Sequence, residues 1–235
     1  MLFNKDYLFI HVPRTAGKCI KSSILNHLDS PRYLCQIKID KNIFNKNSYI
    51  HYSRNVIRPP AKGSTHLSLN EIVEQNFIWP EGLWENGIDF NKIKIILCAR
   101  NPYDRLKSLF KLRLSILKRM NISEYYSFES FISEKLTKDR LFRSTYEYCN
   151  INGEMPKNLH FIRYSNLNED LSNLFGVEIN TEITRHNEIY KLNLEQQKKL
   201  YGIKDKDKAV ELINQWESWG IENKLFEPVT KDMLL

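Results

Sequence analysis

The chain has 235 residues, 42% of them hydrophobic and 27% charged, with a formal net charge of +7. That balance excludes a disordered or fibrous chain, the length suits one sizeable α/β core, and no run reaches the roughly 20 apolar residues of a membrane span. The positive excess favours anionic ligands. The four cysteines, Cys19, Cys35, Cys98 and Cys149, form neither a Cys-x-x-C pair nor a Cys/His zinc spacing, so buried free thiols are expected and a structural zinc is not. The first five residues lack the charged-then-apolar design of a secretory leader, which points to a cytosolic protein.

From Leu8 the chain reads LFIHVPRTAGKCIKSSI. An apolar run (Leu8, Phe9, Ile10, Val12) stops at Pro13, passes through Arg14-Thr15-Ala16-Gly17-Lys18, and resumes with helical spacing at Ile20, Ile24, Leu25 and Leu28. The pattern predicts a strand over Leu8–Val12, a tight loop, and a helix. The first N–H groups of a helix have no intrahelical acceptor and sit at the positive end of its dipole, so such a loop aims several donors at one anion. Arg14 and Lys18 add two charges, and Thr15 adds a hydroxyl. A nucleoside-triphosphatase phosphate loop needs Gly, four residues, then Gly-Lys-Ser/Thr. Here Val12 holds the first Gly position and Cys19 the last, a poor match. HVPRTAG instead resembles the 5′-phosphosulfate loop of sulfotransferases: strand, Pro, Lys or Arg, Ser/Thr, Gly/Ala, Gly/Thr. The resemblance implies that Pro13, Arg14, Thr15, Ala16, Gly17, Lys18 and Cys19 bind the 5′ end of 3′-phosphoadenosine 5′-phosphosulfate (PAPS). It gives Arg14 and Lys18 the further task of stabilising charge as the sulfuryl group leaves.

Tyr33–Ile39 alternates as a strand, Asp40–Ser48 is a polar loop, and Tyr49–Tyr52 reads as a second short strand. In RPPAKGSTHLSLNE (Arg58–Glu71), Pro59, Pro60 and Gly63 make a loop, and Ser68 with Glu71 forms a capping box that opens an amphipathic helix. His66 stands just before that start. KGSTHLSLNEI is similar to the His-bearing segment between the two cofactor motifs of carbohydrate-type sulfotransferases, which implies that His66 is the general base. An imidazole, with a pKa near 6.5, suits removal of a hydroxyl proton at neutral pH. Of the other histidines, His11 is expected to pack, His27, His51 and His160 have no partner spacing, and His186 is a reserve. Phe77–Asp89, rich in aromatics, Gly and Pro, reads as a connection with buried anchors.

Lys92–Ser108, KIKIILCARNPYDRLKS, is a β-rich run ending at Arg100, followed by Asn101-Pro102 opening a helix that carries Arg105 and Ser108. It resembles the 3′-phosphate element of sulfotransferases, which implies that Arg100 and Ser108 grip the 3′-phosphate of PAPS. The helix continues to Arg119 with solvated Lys and Arg, and without an RNA-binding motif, so nucleic acid is not an expected partner. Helices are predicted over Phe128–Leu136 and Leu141–Tyr148, and Arg140 and Arg143 could face an anionic acceptor. LHFIRYSNLNEDLSNL (Leu159–Leu174) gives a strand and a helix similar to a late sulfotransferase segment, with Ser165 where Glu is commoner and Arg163 in a structural role. Leu194–Tyr201 and Asp207–Trp219 read as helices, and the residues after Phe226 as a poorly ordered end.

The alternation predicts an α/β fold in one domain over residues 1–235: a central, mainly parallel sheet flanked by helices, binding ligands beyond the carboxyl ends of its strands. The resemblance implies the P-loop-kinase-like sulfotransferase fold. It also implies a cytoplasmic PAPS-dependent enzyme that needs no metal and acts on an acceptor hydroxyl, a carbohydrate being favoured by the His66 segment. Two rivals remain open. A P-loop kinase wants an acidic residue ending a later strand, where this chain has Arg100, and a nucleotide-binding protein could lack catalysis altogether.

Overall fold

The computed structural model describes residues 2–3, 6–27, 33–34, 50–51, 66–74, 89–121, 127–136, 142–181 and 193–235. Strands are β1 (Leu2–Phe3), β2 (Tyr7–Ile10), β3 (Tyr33–Leu34), β4 (Ile50–His51), β5 (Lys94–Ala99) and β6 (Leu159–Arg163). Helices are α1 (Gly17–His27), α2 (Leu69–Glu74), α3 (Pro102–Arg119), α4 (Phe128–Lys135), α5 (Thr145–Cys149), α6 (Leu167–Phe175), α7 (Leu194–Tyr201), α8 (Lys206–Trp216) and α9 (Ser218–Glu222). Contacts gather into two compact units, Met1–Ala99 with Glu147–Glu182, and Arg100–Tyr146 with Ile183–Leu235.

The first unit is built on one open sheet in the order β4-β3-β1-β2-β5-β6. Its centre is parallel: Ile10 lies beside Leu97, and Leu97 beside Phe161. A parallel centre covered on both faces demands continuous apolar strands, and Leu8, Phe9, Ile10, Ile95, Ile96, Leu97 and Cys98 are all fully buried. One face, carrying Tyr7, Phe9, Ile96, Cys98 and Ile162, packs with Ile20 and Ile24 of α1 and Leu167 and Leu171 of α6. The α/β architecture with a mainly parallel sheet and flanking helices is as the sequence predicts. Two details differ. β2 leaves the ladder at Ile10 rather than Val12, because the Val12 N–H turns back to the Ile10 carbonyl at 3.2 Å. β1, antiparallel to both its neighbours, is too short to show a period.

The second unit is helical. Asn101 caps α3, accepting from the Asp104 N–H at 3.2 Å with Pro102 in the first turn, as the Asn-Pro pair foretells. Its core joins Tyr103, Leu106 and Phe110 of α3 to Phe128, Phe131 and Ile132 of α4, Tyr201 of α7, and Ala209 and Ile213 of α8. Within it Arg105 is fully buried. Its Nη1 meets Glu217 Oε1 at 2.7 Å, its Nη2 donates to the Arg143 carbonyl at 2.7 Å, and its guanidinium lies 4.9 Å from the centre of the Trp216 ring. Glu217 also accepts from the Thr145 N–H at 2.9 Å and from its hydroxyl at 3.3 Å. Burial pushes the Glu217 carboxyl up, against the pull of Arg105 and Thr145. The helix expected over Asp207–Trp219 is therefore two helices, α8 and α9, with Glu217 at the break between them.

The segment after Phe226 is not the poorly ordered end that its sequence suggests. Val229 and Leu234 are buried in the second unit's core, the Leu235 N–H donates to the Tyr103 hydroxyl, and Lys206 Nζ donates to the Leu234 carbonyl. Apolar contacts spaced five residues apart, at Val229 and Leu234, fit neither a helical nor a strand period, which is why the anchoring is invisible in the sequence. Cys98 and Cys149 are buried free thiols as expected, whereas Cys19 is only partly buried. Cys35, Asp40–Ser48, Arg58–Gly63, Phe77–Asn86, Arg140 and His186 lie outside the described residues. Among the described residues no helix is long and apolar enough to cross a membrane.

Candidate functional site

The candidate site starts where β2 ends. Between Ile10 and α1 the backbone makes a compact turn in which Val12, Pro13 and Thr15 are buried, Arg14 and Ala16 are partly exposed, and Lys18 is exposed. Thr15 Oγ1 donates to the Val12 carbonyl at 2.9 Å, so its hydroxyl proton closes the turn, and what it can offer an anion is its backbone N–H. Arg14 and Ala16 both take left-handed backbone angles, with φ of 66° and 61°. For residues bearing a Cβ this costs roughly 1–2 kcal/mol each, strain that surrounding structure must hold in place. Alternating handedness turns successive N–H groups toward one point, the geometry of an anion-binding nest.

The first α1 bond runs from the Ile20 N–H to the Ala16 carbonyl at 3.0 Å. Ala16 has no side-chain acceptor, and the first turn carries no acidic residue. The N–H groups of Gly17, Lys18 and Cys19 thus stand at the positive end of the helix, with Arg14 and Lys18 beside them in sequence. This donor set suits a phosphate or sulfate group.

Gly17 is there because another side chain occupies its Cβ position. A Cβ on Gly17 would lie 1.8 Å from His11 Cδ2 and 2.1 Å from His11 Nε2. The His11 ring thus sits on the first residue of α1. It lies 6.3 Å from Phe9, centroid to centroid, and 4.5 Å from His66 at an interplanar angle of 54°. Its protonation is held well below the ordinary imidazole value, first by burial and then by the positive charge of His66, Lys21 and Lys18.

His66 comes to this place from 55 residues further on. Its Nδ1 lies 2.9 Å from the His11 carbonyl oxygen. A carbonyl only accepts, so Nδ1 carries a proton, and whenever the ring is neutral its lone pair falls on Nε2. Two devices hold the segment. The Ser68 and Glu71 capping box is formed as predicted, the Ser68 N–H donating to Glu71 Oε2 at 2.9 Å and the Glu71 N–H to Ser68 Oγ at 3.3 Å. Asn70 then ties α2 to the turn after α5, its Oδ1 accepting from the Asn152 N–H at 2.7 Å. That turn uses Asn152 and Gly153, both with positive φ, between the bridged residues Ile151 and Glu154.

The predicted 3′-phosphate residues belong to the second unit. Arg100 directly follows β5 and is partly buried, and Ser108 is buried on α3. Arg105, on the same helix, is committed to Glu217 and has a structural role. Arg163 is likewise structural, as expected: its Nη2 pairs with Asp170 Oδ1 at 2.6 Å and its N–H with Oδ2 at 2.7 Å. The carbonyl of Arg143 serves Arg105. His11 packs as the sequence suggests, against Phe9 and Gly17, but the sequence does not foretell its contact with the first residue of α1. Its only sequence signal is a His six residues before a Gly that opens a helix, too weak to separate contact from coincidence.

Comparison with known proteins supplies the remaining observation. A family model described as "Sulfotransferase domain" matches residues 44–174, more than half of the chain. The matched region takes in His66, Arg100, Ser108 and the β6–α6 segment, and begins after the 11–19 loop, whose reading rests on its own residues. No curated protein and no solved structure matches the chain. With an α/β sheet, a strand followed directly by Arg100 and a helix opened by Asn101-Pro102 inside the matched span, the chain belongs to the sulfotransferase family.

Proposed function

We propose that the chain, working as one sulfotransferase domain over residues 1–235, transfers the sulfuryl group of PAPS to a hydroxyl on a carbohydrate, with His66 as general base. The observation that carries this reading is the His66 Nδ1 bond to the His11 carbonyl oxygen, which holds the His66 ring 4.5 Å by centroid from the His11 ring that packs on Gly17 at the start of α1. In this reading the N–H groups of residues 15–19 receive the 5′-phosphosulfate, with Pro13 and Gly17 shaping the loop around it. Arg14 offers a planar fork, and Lys18 a second charge, to the bridging oxygen as negative charge grows there. Arg100 and Ser108 hold the 3′-phosphate.

The acceptor hydroxyl loses its proton to His66 Nε2 while its oxygen bonds to sulfur, and the S–O bond to the 5′-phosphate breaks with its electron pair going to the phosphate oxygen. Arg, Lys and helix N–H donors supply the positive charge the reaction needs, so no metal is invoked. The carbohydrate preference rests on the likeness of the KGSTHLSLNEI segment to carbohydrate-type enzymes.

The test is calorimetric titration with 3′-phosphoadenosine 5′-phosphate (PAP) against ATP with magnesium, followed by sulfur-35 transfer from PAPS to a panel of oligosaccharides and tyrosine peptides. The reading expects PAP to bind in preference to ATP, oligosaccharides to be labelled, and Arg14→Ala to lower turnover on the order of 10²-fold or more. Preference for ATP, or full turnover in His66→Ala, refutes it.

A further inference from the structure

We infer that His11 is a second working imidazole: its Nε2–H donates a hydrogen bond to the sulfuryl oxygens of the group held at the start of α1, beside the base His66. The inference rests on the reading of the site given above. Three observations carry it.

The first is placement. The ring edge bearing Nε2 and Cδ2 overlies Gly17, within 2.1 Å of where a Cβ would stand, and Gly17 is the first residue of a helix whose first turn carries no acidic side chain. The nitrogen therefore sits against the residue that begins α1. The second is the tautomer. His11 Nδ1 is sealed in the interior with no hydrogen-bond partner. A buried N–H without an acceptor is more costly than a buried lone pair without a donor, so the neutral ring carries its proton on Nε2. A residue chosen only to pack against Gly17 and Phe9 would not need that orphaned nitrogen; a Phe would fill the space without it. The third is the pairing. His66 spends Nδ1–H on the His11 carbonyl and keeps Nε2 basic, whereas His11 keeps Nε2 protonated. Two rings with centroids 4.5 Å apart thus hold opposite tautomers, one to accept a proton and one to donate a hydrogen bond.

Charge supports the division of labour. Burial first, and then the positive charge of His66, Lys21, the N-terminus and Lys18, hold the protonation of His11 down. When His66 takes the acceptor's proton it becomes a cation beside a ring that adds no second charge. His11 keeps its own proton throughout. Its N–H meets the sulfuryl oxygens while the bond to the acceptor oxygen forms and the bond to the phosphate oxygen breaks.

The test uses the wild-type chain with nitrogen-15-labelled histidine. Ring nitrogen shifts are read alone, with PAP, and with PAPS; PAP lacks the sulfuryl group. The inference expects His11 to show a bare Nδ1 and a protonated Nε2, and PAPS to shift the Nε2 signal where PAP leaves it nearly unchanged. His11→Phe keeps the ring volume, so it should keep its affinity for PAP and lose roughly ten- to hundredfold in its preference for PAPS over PAP. His11→Gln, which restores an N–H, should recover part of that preference. A proton on Nδ1, or a His11 ring unmoved while PAPS is bound, overturns the inference and leaves the cofactor assignment standing. Failure of the wild type to bind either nucleotide defeats the cofactor assignment, and the role of His11 with it.

Discussion

Replacing Gly17 by Ala sets two effects against each other, and the structure decides the sign. Ala is the better helix former by about 1 kcal/mol in a helix interior, and only part of that applies at a first position. Against this, the new Cβ would meet His11 Cδ2 at 1.8 Å, Nε2 at 2.1 Å and Cγ at 2.7 Å. Ordinary contact distances are about 3.5–4 Å, so the ring must retreat by well over an ångström. It has little room: His66 lies 4.5 Å away by ring centroid, and Nδ1 is already buried. Overpacking of this kind costs about 1–3 kcal/mol, which exceeds the helix gain. Gly17→Ala should therefore be destabilised by up to about 2 kcal/mol and weakened in PAP binding. Because His11→Ala removes the obstacle, the double variant should recover stability, with a coupling of at least about 1 kcal/mol in a double-mutant cycle read by urea denaturation. A Gly17→Ala protein more stable than wild type, with unchanged nucleotide affinity, would refute the close approach of His11.

The buried pair of the second unit yields a stability prediction. Glu217→Ala leaves Arg105 and the Thr145 N–H without their acceptor and should lower unfolding free energy by about 3–5 kcal/mol, whereas the apolar double replacement Arg105→Met with Glu217→Leu should recover most of it; urea midpoints decide. Removing residues 229–235 takes away the buried Val229 and Leu234 and should cost about 3 kcal/mol or more, seen as a lower thermal midpoint; an unchanged midpoint contradicts the docking of this segment. The depressed protonation of His11 predicts acid sensitivity. The folded-state pKa lies below the unfolded value near 6.5, so the unfolded chain takes up this proton first as pH falls. The stability it contributes is complete above about pH 6.5 and is lost below it. Thermal midpoints between pH 8 and 5 should thus fall less in His11→Phe than in wild type, and parallel curves would contradict the assignment.

What could be read from the sequence is what is written locally. The strand, loop and helix from Tyr7 to His27 announce themselves through an apolar run halted by Pro13 and resumed at helical spacing. The starts of α2 and α3 are spelled by Ser68 with Glu71 and by Asn101-Pro102, because caps act over three or four residues. Even the role of Arg163 follows from a partner, Asp170, seven residues away. What could not be read is pairing across the chain. Nothing local tells that His66 will reach the His11 carbonyl, that Arg105 will find Glu217 across 112 positions, or that Val229 and Leu234 will anchor a polar segment. The positive φ of Arg14 was equally hidden, since an Arg in that region is disfavoured by its own side chain and persists only because the turn holds it. The same locality explains the break at Glu217: its neighbours keep a helical period, and a carboxylate turned inward to Arg105 and Thr145 divides the helix.

The central claim is that the start of α1, with Arg14 beside it, receives the 5′ end of the nucleotide next to the paired imidazoles of His11 and His66. A crystal structure of the chain with PAP tests it most directly. The account predicts the 5′-phosphate within hydrogen-bond distance of the N–H groups of Gly17–Cys19 and of Arg14, with His66 Nε2 turned toward the open side of that phosphate. A nucleotide bound elsewhere, or one whose 5′-phosphate touches neither Arg14 nor the start of α1, would contradict it.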